Sequence, residues 1–228
     1  MYNLITPHNS RVTKFQHQGY DIIKNLLDPK EANMLHQFYM DYNDWDIYLF
    51  PDEFPAPDKN PEYPLAIVKK EDKNYAEKKL YAQKTHLHNF SYHYSRTNYL
   101  HPILVTHFQS DEFIKELEIA TGKTDLKLGV NFVNCLESGD WNGPHHDGIQ
   151  GRVAFIYHLT KDWRPQDGGL FFRTDKNNWE KILSVTMPTF NQYVVMDVEG
   201  YDTGAPHFVS HIAPEVTNKR ISYIGWYQ

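Results

Sequence analysis

The sequence predicts a mostly β chain with helices in its N-terminal half, an α+β protein whose strands build a β-sandwich or jelly roll. Three observations carry this expectation. Helix start and stop signals all lie before residue 125. From Leu126 onward the chain holds only short apolar runs separated by Gly, Asp, Asn and Pro turns. The 228 residues, 40% hydrophobic and 15% aromatic, suffice for one sizeable core. No internal repeat, low-complexity stretch or linker interrupts the pattern. The expected organisation is therefore a single domain over 1–228, with helical support over 1–125 and a strand core over 126–228.

The first element is a short strand at Gly19-Tyr20-Asp21-Ile22-Ile23. A helix follows, with Asp28 as N-cap and Pro29 at its first position, and Ala32, Leu35, Phe38 and Tyr39 spaced along one apolar face. Asp41 to Pro64 carries five prolines, seven carboxylates and one lysine, and reads as irregular chain. A solvated loop is the plain reading of that segment and a lid or entrance rim the functional one. Residues 69–84, with six lysines against three carboxylates, read as a solvated face. Leu87 to Arg96 alternates like a strand. Ser110-Asp111-Glu112 opens a second helix that Gly122 closes. The remaining strands are expected at 128–136, 152–159, 169–173, 183–187, 192–197, 207–213 and 220–227.

Charge narrows the partners. Acidic side chains outnumber basic ones 29 to 23, a net charge of -6, which repels a phosphate backbone and argues against nucleic acid. The apolar runs are strand-sized, well below the roughly 18 residues that span a bilayer, so no membrane partner is expected. Cys135 is the single cysteine and reads as a small buried hydrophobe; with no internal disulfide and no apolar leader at the N-terminus, the expected setting is reducing and cytoplasmic. No pattern in the chain speaks to its oligomeric state.

The chemistry concentrates in Gly143-Pro144-His145-His146-Asp147-Gly148 and in His207-Phe208-Val209-Ser210-His211. On extended chain, side chains two apart share a face, so His145 and Asp147 point together while His146 points away. His211 from an opposing strand would complete a two-histidine, one-carboxylate face, which suits non-haem Fe(II) because it leaves adjacent coordination positions open. His207 reads as a core or rim histidine. Arg220 then starts the antiparallel partner of the His211 strand, with Ser222 on its face, and a buried guanidinium there suits bidentate binding of a carboxylate. Arg96, at the end of its strand, is a candidate for a substrate carboxylate. Trp141 and Trp163 read as structural.

This ordered set resembles the Fe(II)- and 2-oxoglutarate-dependent oxygenases, within them the prolyl-4-hydroxylase-like group. The matching text runs from Gly139 through His145-His146-Asp147, Gly151-Arg152, Ile156 to Trp163, and Asp167-Gly168-Gly169-Leu170-Phe171-Phe172 to the His211 and Arg220 segments, roughly the last hundred residues. The resemblance implies a double-stranded β-helix, a jelly-roll or cupin-like barrel. It also implies iron on His145, Asp147 and His211, and 2-oxoglutarate on Arg220 with help from Ser222. Where such enzymes usually carry a tyrosine facing that carboxylate, this chain has His158, which keeps a hydrogen-bonding group in place. The implied activity is hydroxylation of an unactivated C–H bond, with Fe(II), 2-oxoglutarate and O2 as cofactors and co-substrates and ascorbate as a candidate reductant. Asp147 favours hydroxylation over halogenation, since related halogenases replace that carboxylate. The expected substrate is a small amino-acid-like molecule or a peptide. Two other classes stay in view: a cupin-like metal-binding module, and a non-catalytic interaction protein that does not use 2-oxoglutarate.

Overall fold

The computed structural model describes residues 15, 18–50, 92–147, 150–199 and 206–228. Its elements are β1 (Tyr20–Lys24), α1 (Pro29–Asp41), β2 (Asp46–Phe50), β3 (Tyr92–Thr97), α2 (Pro102–Phe108), α3 (Asp111–Thr121), β4 (Leu128–Leu136), β5 (Trp141–His145), β6 (Val153–His158), β7 (Phe171–Asp175), β8 (Asn178–Thr186), β9 (Gln192–Asp197), β10 (His207–Val209) and β11 (Arg220–Tyr227). All strands join one antiparallel sheet in the order β1-β9-β6-β11-β4-β3-β5-β10-β7-β8, with β2 beside β3. The sheet curls, giving the mostly antiparallel jelly-roll class, with helices α1, α2 and α3 among the described residues.

The helices begin and end where their caps dictate. The Asp28 carboxylate accepts the Lys30 N–H at 2.8 Å ahead of Pro29, and Ala32, Leu35 and Tyr39 turn the buried face of α1 to the sheet. Ser110 Oγ accepts the Phe113 N–H, and Gly122, at φ 71°, ends α3 in the left-handed region. Alternation along the strands then makes two cores. Val133, Cys135, Phe155, Tyr157, Tyr193, Tyr223 and Tyr227 face the helices, where Phe108 of α2 packs 5.0 to 5.8 Å from the rings of Phe155, Tyr157, Tyr193 and Tyr223. Phe132, Leu136, Ala154, Ile156, Phe171, Val194, Val209 and Trp226 fill the inner face of the curl.

The structure departs from the sequence reading in several places. The strand expected at 169–173 is β7 at Phe171–Asp175, the one expected at 183–187 is the longer β8 at Asn178–Thr186, and the Arg220 strand pairs with β4 and β6 rather than with the strand of His207. The segment expected to be irregular from Asp41 contains β2, which pairs with β3 and buries Ile47 and Tyr48; its prolines begin only at Pro51, so the average over the segment hid five strand residues. Helix α2, with Pro102 in its first turn and the His101 side chain as cap, is short enough to escape periodicity. Strand β5 was obscured by Gly143-Pro144, which sits where its register with β10 shifts. Strand β10 spans only His207–Val209 rather than 207–213. The rest of the proline-rich stretch after Phe50, the lysine-rich run at 69–84 and the start of the strand expected from Leu87 lie outside the described residues.

Candidate active site

The Gly143-Pro144 irregularity leads directly into His145, the last residue of β5. β10 lies between β5 and β7, and His207 stands opposite His145 on one side and Arg173 on the other. The two imidazoles meet edge to face, centroids 4.3 Å apart. Asp147, 5% exposed, lies between them, its Oδ2 3.2 Å from His207 Nε2 and its Oδ1 3.6 Å from His145 Nε2. One donor atom from each of His145, Asp147 and His207 falls within 4.8 Å of the others, a grouping that could hold a metal ion.

Protonation states favour such a role. His145 Nδ1 lies 2.7 Å from the Gly143 carbonyl, which can only accept, so the proton sits on Nδ1 and Nε2 keeps its lone pair. Burial, reinforced by His207, lowers the His145 pKa to about 4, so the ring is neutral at pH 7. For Asp147, burial alone would raise the pKa, but the charge and hydrogen bond of His207, with His145 behind them, bring it down to about 2. The neutral His145 imidazole, the His207 imidazole and one carboxylate form the donor set of a facial triad with open positions.

His211, expected as the third member, is not in this group. It follows the end of β10, and its ring lies flat on Trp141 at 4.9 Å and 10°, with His93 stacked at 5.8 Å on the same indole. His207 takes the place in the cluster. Residues 207 and 211 share parity and both precede Arg220, so spacing along the sequence could not choose between them. The choice follows from where β10 pairs with β5 and where it ends.

The second half of the site forms on β11. Arg220 is 1% exposed; its Nε donates to the Gly169 carbonyl at 2.8 Å and its Nη1 to Ser222 Oγ at 3.2 Å, while Nη2 is buried with no partner among the described residues. Gly169 makes this fit: at φ 60°, a Cβ there would fall 2.8 Å from Arg220 Cδ and 2.4 Å from Ile212 Cδ1. Ser222 stands opposite His158 of β6 and Asn134 of β4, and Asn134 stands opposite Arg96 of β3. His158 is fully buried, and neither ring nitrogen has a partner among the described residues. Burial, with Arg220 nearby, holds its pKa well below the usual imidazole range. A fixed cation, an uncharged imidazole and a hydroxyl with unfilled hydrogen-bonding capacity make a receptor for a carboxylate. Arg96 lies over Phe132 at 3.9 Å and Tyr48 at 5.0 Å, and donates to Asn98 Oδ1 at 3.1 Å. Cys135 is buried, as expected.

Residues 132–228 match the family model of the 2OG-Fe(II) oxygenase superfamily. No curated protein matches the chain in sequence. Among solved structures, a prolyl hydroxylase from Trichoplax adhaerens in complex with a hypoxia inducible factor oxygen degradation domain peptide fragment is 14% identical with a TM-score of 0.57, over 96% of this chain and 88% of that one. A prolyl-4-hydroxylase from Pseudomonas putida is 13% identical at TM-score 0.55, over 97% and 98% of the two chains. A 2OG-Fe(II) oxygenase family oxidoreductase from Burkholderia pseudomallei is 11% identical at TM-score 0.64, over 98% and 91%. At such identities these likenesses establish the fold. The family implies Fe(II) and 2-oxoglutarate, and the donor cluster and the carboxylate receptor fit both. By its fold, and by the sequence of the segment that carries His145, Asp147, His207 and Arg220, the protein is recognised as similar to the 2OG-Fe(II) oxygenases.

Proposed function

We propose that this protein is an Fe(II)- and 2-oxoglutarate-dependent dioxygenase that hydroxylates an unactivated C–H bond of a small amino-acid-like or peptidyl substrate. The observation that carries the reading is the pairing of two sites on one curled sheet: a His145–Asp147–His207 donor set grouped within 4.8 Å, and a buried Arg220 whose Nη2 lacks an acceptor among the described residues.

In this reading His145 Nε2, Asp147 and His207 Nε2 hold the metal. The Nδ1–H of His145, anchored on the Gly143 carbonyl, keeps its ring turned inward. Arg220 Nη2, Ser222 Oγ and one nitrogen of His158 hold the distal carboxylate of 2-oxoglutarate. When bound, Fe(II) with 2-oxoglutarate and O2 supplies oxidative decarboxylation to succinate and CO2 coupled to hydroxylation of the substrate. Closure of the inner face by Phe132, Phe171 and Trp226 limits water around the reacting groups. Retention of Asp147 as a carboxylate supports hydroxylation over halogenation. Arg220 and its surroundings favour this reading over a cupin-like module or a non-catalytic interaction protein.

The test is succinate release with Fe(II), ascorbate and 2-oxoglutarate against free amino acids and short peptides. Substrate-stimulated succinate with a product heavier by one oxygen is the expected result. Absence of metal binding, or metal binding without any effect of 2-oxoglutarate, would overturn the proposal.

A further inference from the structure

We propose that Arg173 anchors a carboxylate of the substrate, so that this centre acts on a small molecule or chain end bearing a free carboxylate near the reacting carbon. The inference rests on the oxygenase reading above and names the substrate class of that same site.

Register is the first argument. His145, His207 and Arg173 stand directly opposite one another across β5, β10 and β7, so all three side chains leave the sheet on one face. Directly opposite residues place their Cβ atoms about 5 Å apart, well within the reach of a guanidinium. Arg173 therefore flanks the donor cluster, on the far side of His207 from His145. Phe171, on the same face, lies 5.4 Å from the His207 ring and borders the space.

The second argument is how Arg173 is held. It is 6% exposed, yet among the described residues no carboxylate pairs with it. Its Nη2 donates to the Gln18 carbonyl at 3.0 Å, and its guanidinium lies over the Tyr20 ring at 4.1 Å. Gly19, at φ 66°, makes the left-handed turn between Gln18 and Tyr20. These contacts fix the plane of the guanidinium and leave Nε and Nη1 without hydrogen bonds among the described residues. A cation withdrawn from water and lacking a counter-charge favours an anion that reaches it, and the planar fork of arginine matches a carboxylate. Arg220 serves the 2-oxoglutarate carboxylate in the reading above, and Arg96 is held by Asn98 and two aromatic faces.

A purely structural role has its own signature, because Arg173 also ties β7 to the start of β1. The experiment separates the two. Mn(II)-loaded protein with 2-oxoglutarate is titrated with free and N-acetylated L-amino acids and with the carboxamide of each, and thermal stabilisation is read. The proposal expects at least one acid to stabilise the protein and its carboxamide to bind roughly ten- to a hundredfold more weakly, as for loss of a hydrogen-bonded charge. Arg173→Leu should abolish that preference, Arg173→Lys should restore part of it, and stabilisation by 2-oxoglutarate should persist in both. If Arg173→Leu does not fold, Arg173→Gln carries the same comparison. Equal binding of acids and carboxamides, no stabilisation by any acid, or a preference that survives in Arg173→Leu and disappears in Arg96→Ala overturns the assignment. Loss of stabilisation by Mn(II) and 2-oxoglutarate in the wild-type protein would instead overturn the oxygenase reading itself.

Discussion

Replacing Arg220 by leucine should have opposite effects on co-substrate binding and on the stability of the metal-free protein. Burial lowers the Arg220 pKa from 12.5 to about 10, which corresponds to about 3 kcal/mol of desolvation cost for the charged form. Its hydrogen bonds to the Gly169 carbonyl and Ser222 Oγ return about 1 kcal/mol each, and Nη2 returns nothing. Leucine removes the uncompensated charge, so the melting temperature of the metal-free variant should equal or exceed that of the wild type. A bound carboxylate loses its charged partner, at a cost of about 3–5 kcal/mol, or roughly 200- to 5,000-fold in Kd. The assay is anaerobic titration of 2-oxoglutarate into Mn(II)-loaded wild-type and variant protein, alongside thermal melts of both metal-free forms. Unchanged 2-oxoglutarate affinity would remove Arg220 from the site. A collapse of the melting temperature would show that the guanidinium serves the fold rather than a ligand.

His207→Ala should abolish Fe(II) or Mn(II) binding, whereas His211→Ala should retain it and lower only thermal stability through loss of the Trp141 stack; equilibrium dialysis against either metal reverses the assignment if the two outcomes are exchanged. His158→Phe should weaken 2-oxoglutarate by only about 1 kcal/mol, roughly fivefold, because a neutral hydrogen bond contributes less than a buried ion pair, and a loss equal to that of Arg220→Leu would contradict this ranking. Metal-free protein should lose stability on acidification. The His145 pKa is 6.5 unfolded and about 4 folded, so the unfolded chain takes up the proton first; stability is full above pH 6.5 and declines by up to about 3 kcal/mol as pH falls to 4. His158, also lowered, acts in the same direction, and denaturant melts that are flat from pH 7 to 4 would refute both.

How much of this was legible in the sequence depended on whether the cause was local. Asp28-Pro29, Ser110 and Gly122 set helix ends through their own backbone and cap chemistry, and β4, β6, β9 and β11 are apolar runs because both of their faces are buried, so these could be read directly. His145 with Asp147, and Arg220 with Ser222, were equally legible, because two-residue spacing on extended chain determines a shared face. The third histidine was not legible. His207 and His211 have the same parity, and only the pairing of β10 with β5 and its end at Val209 place one beside Asp147 and the other against Trp141. Arg173 was invisible for the same reason: nothing near it in sequence marks a site, and its position beside His207 exists only once β7 and β10 pair across 34 residues of chain. The sequence by itself determined the donor types and the strand periodicity, which are properties of neighbouring residues. Which distant strands meet, and therefore which histidine lies beside Asp147 and which arginine stands opposite that histidine, was decided by the tertiary structure, because strand pairing depends on burying both faces of the sheet at once.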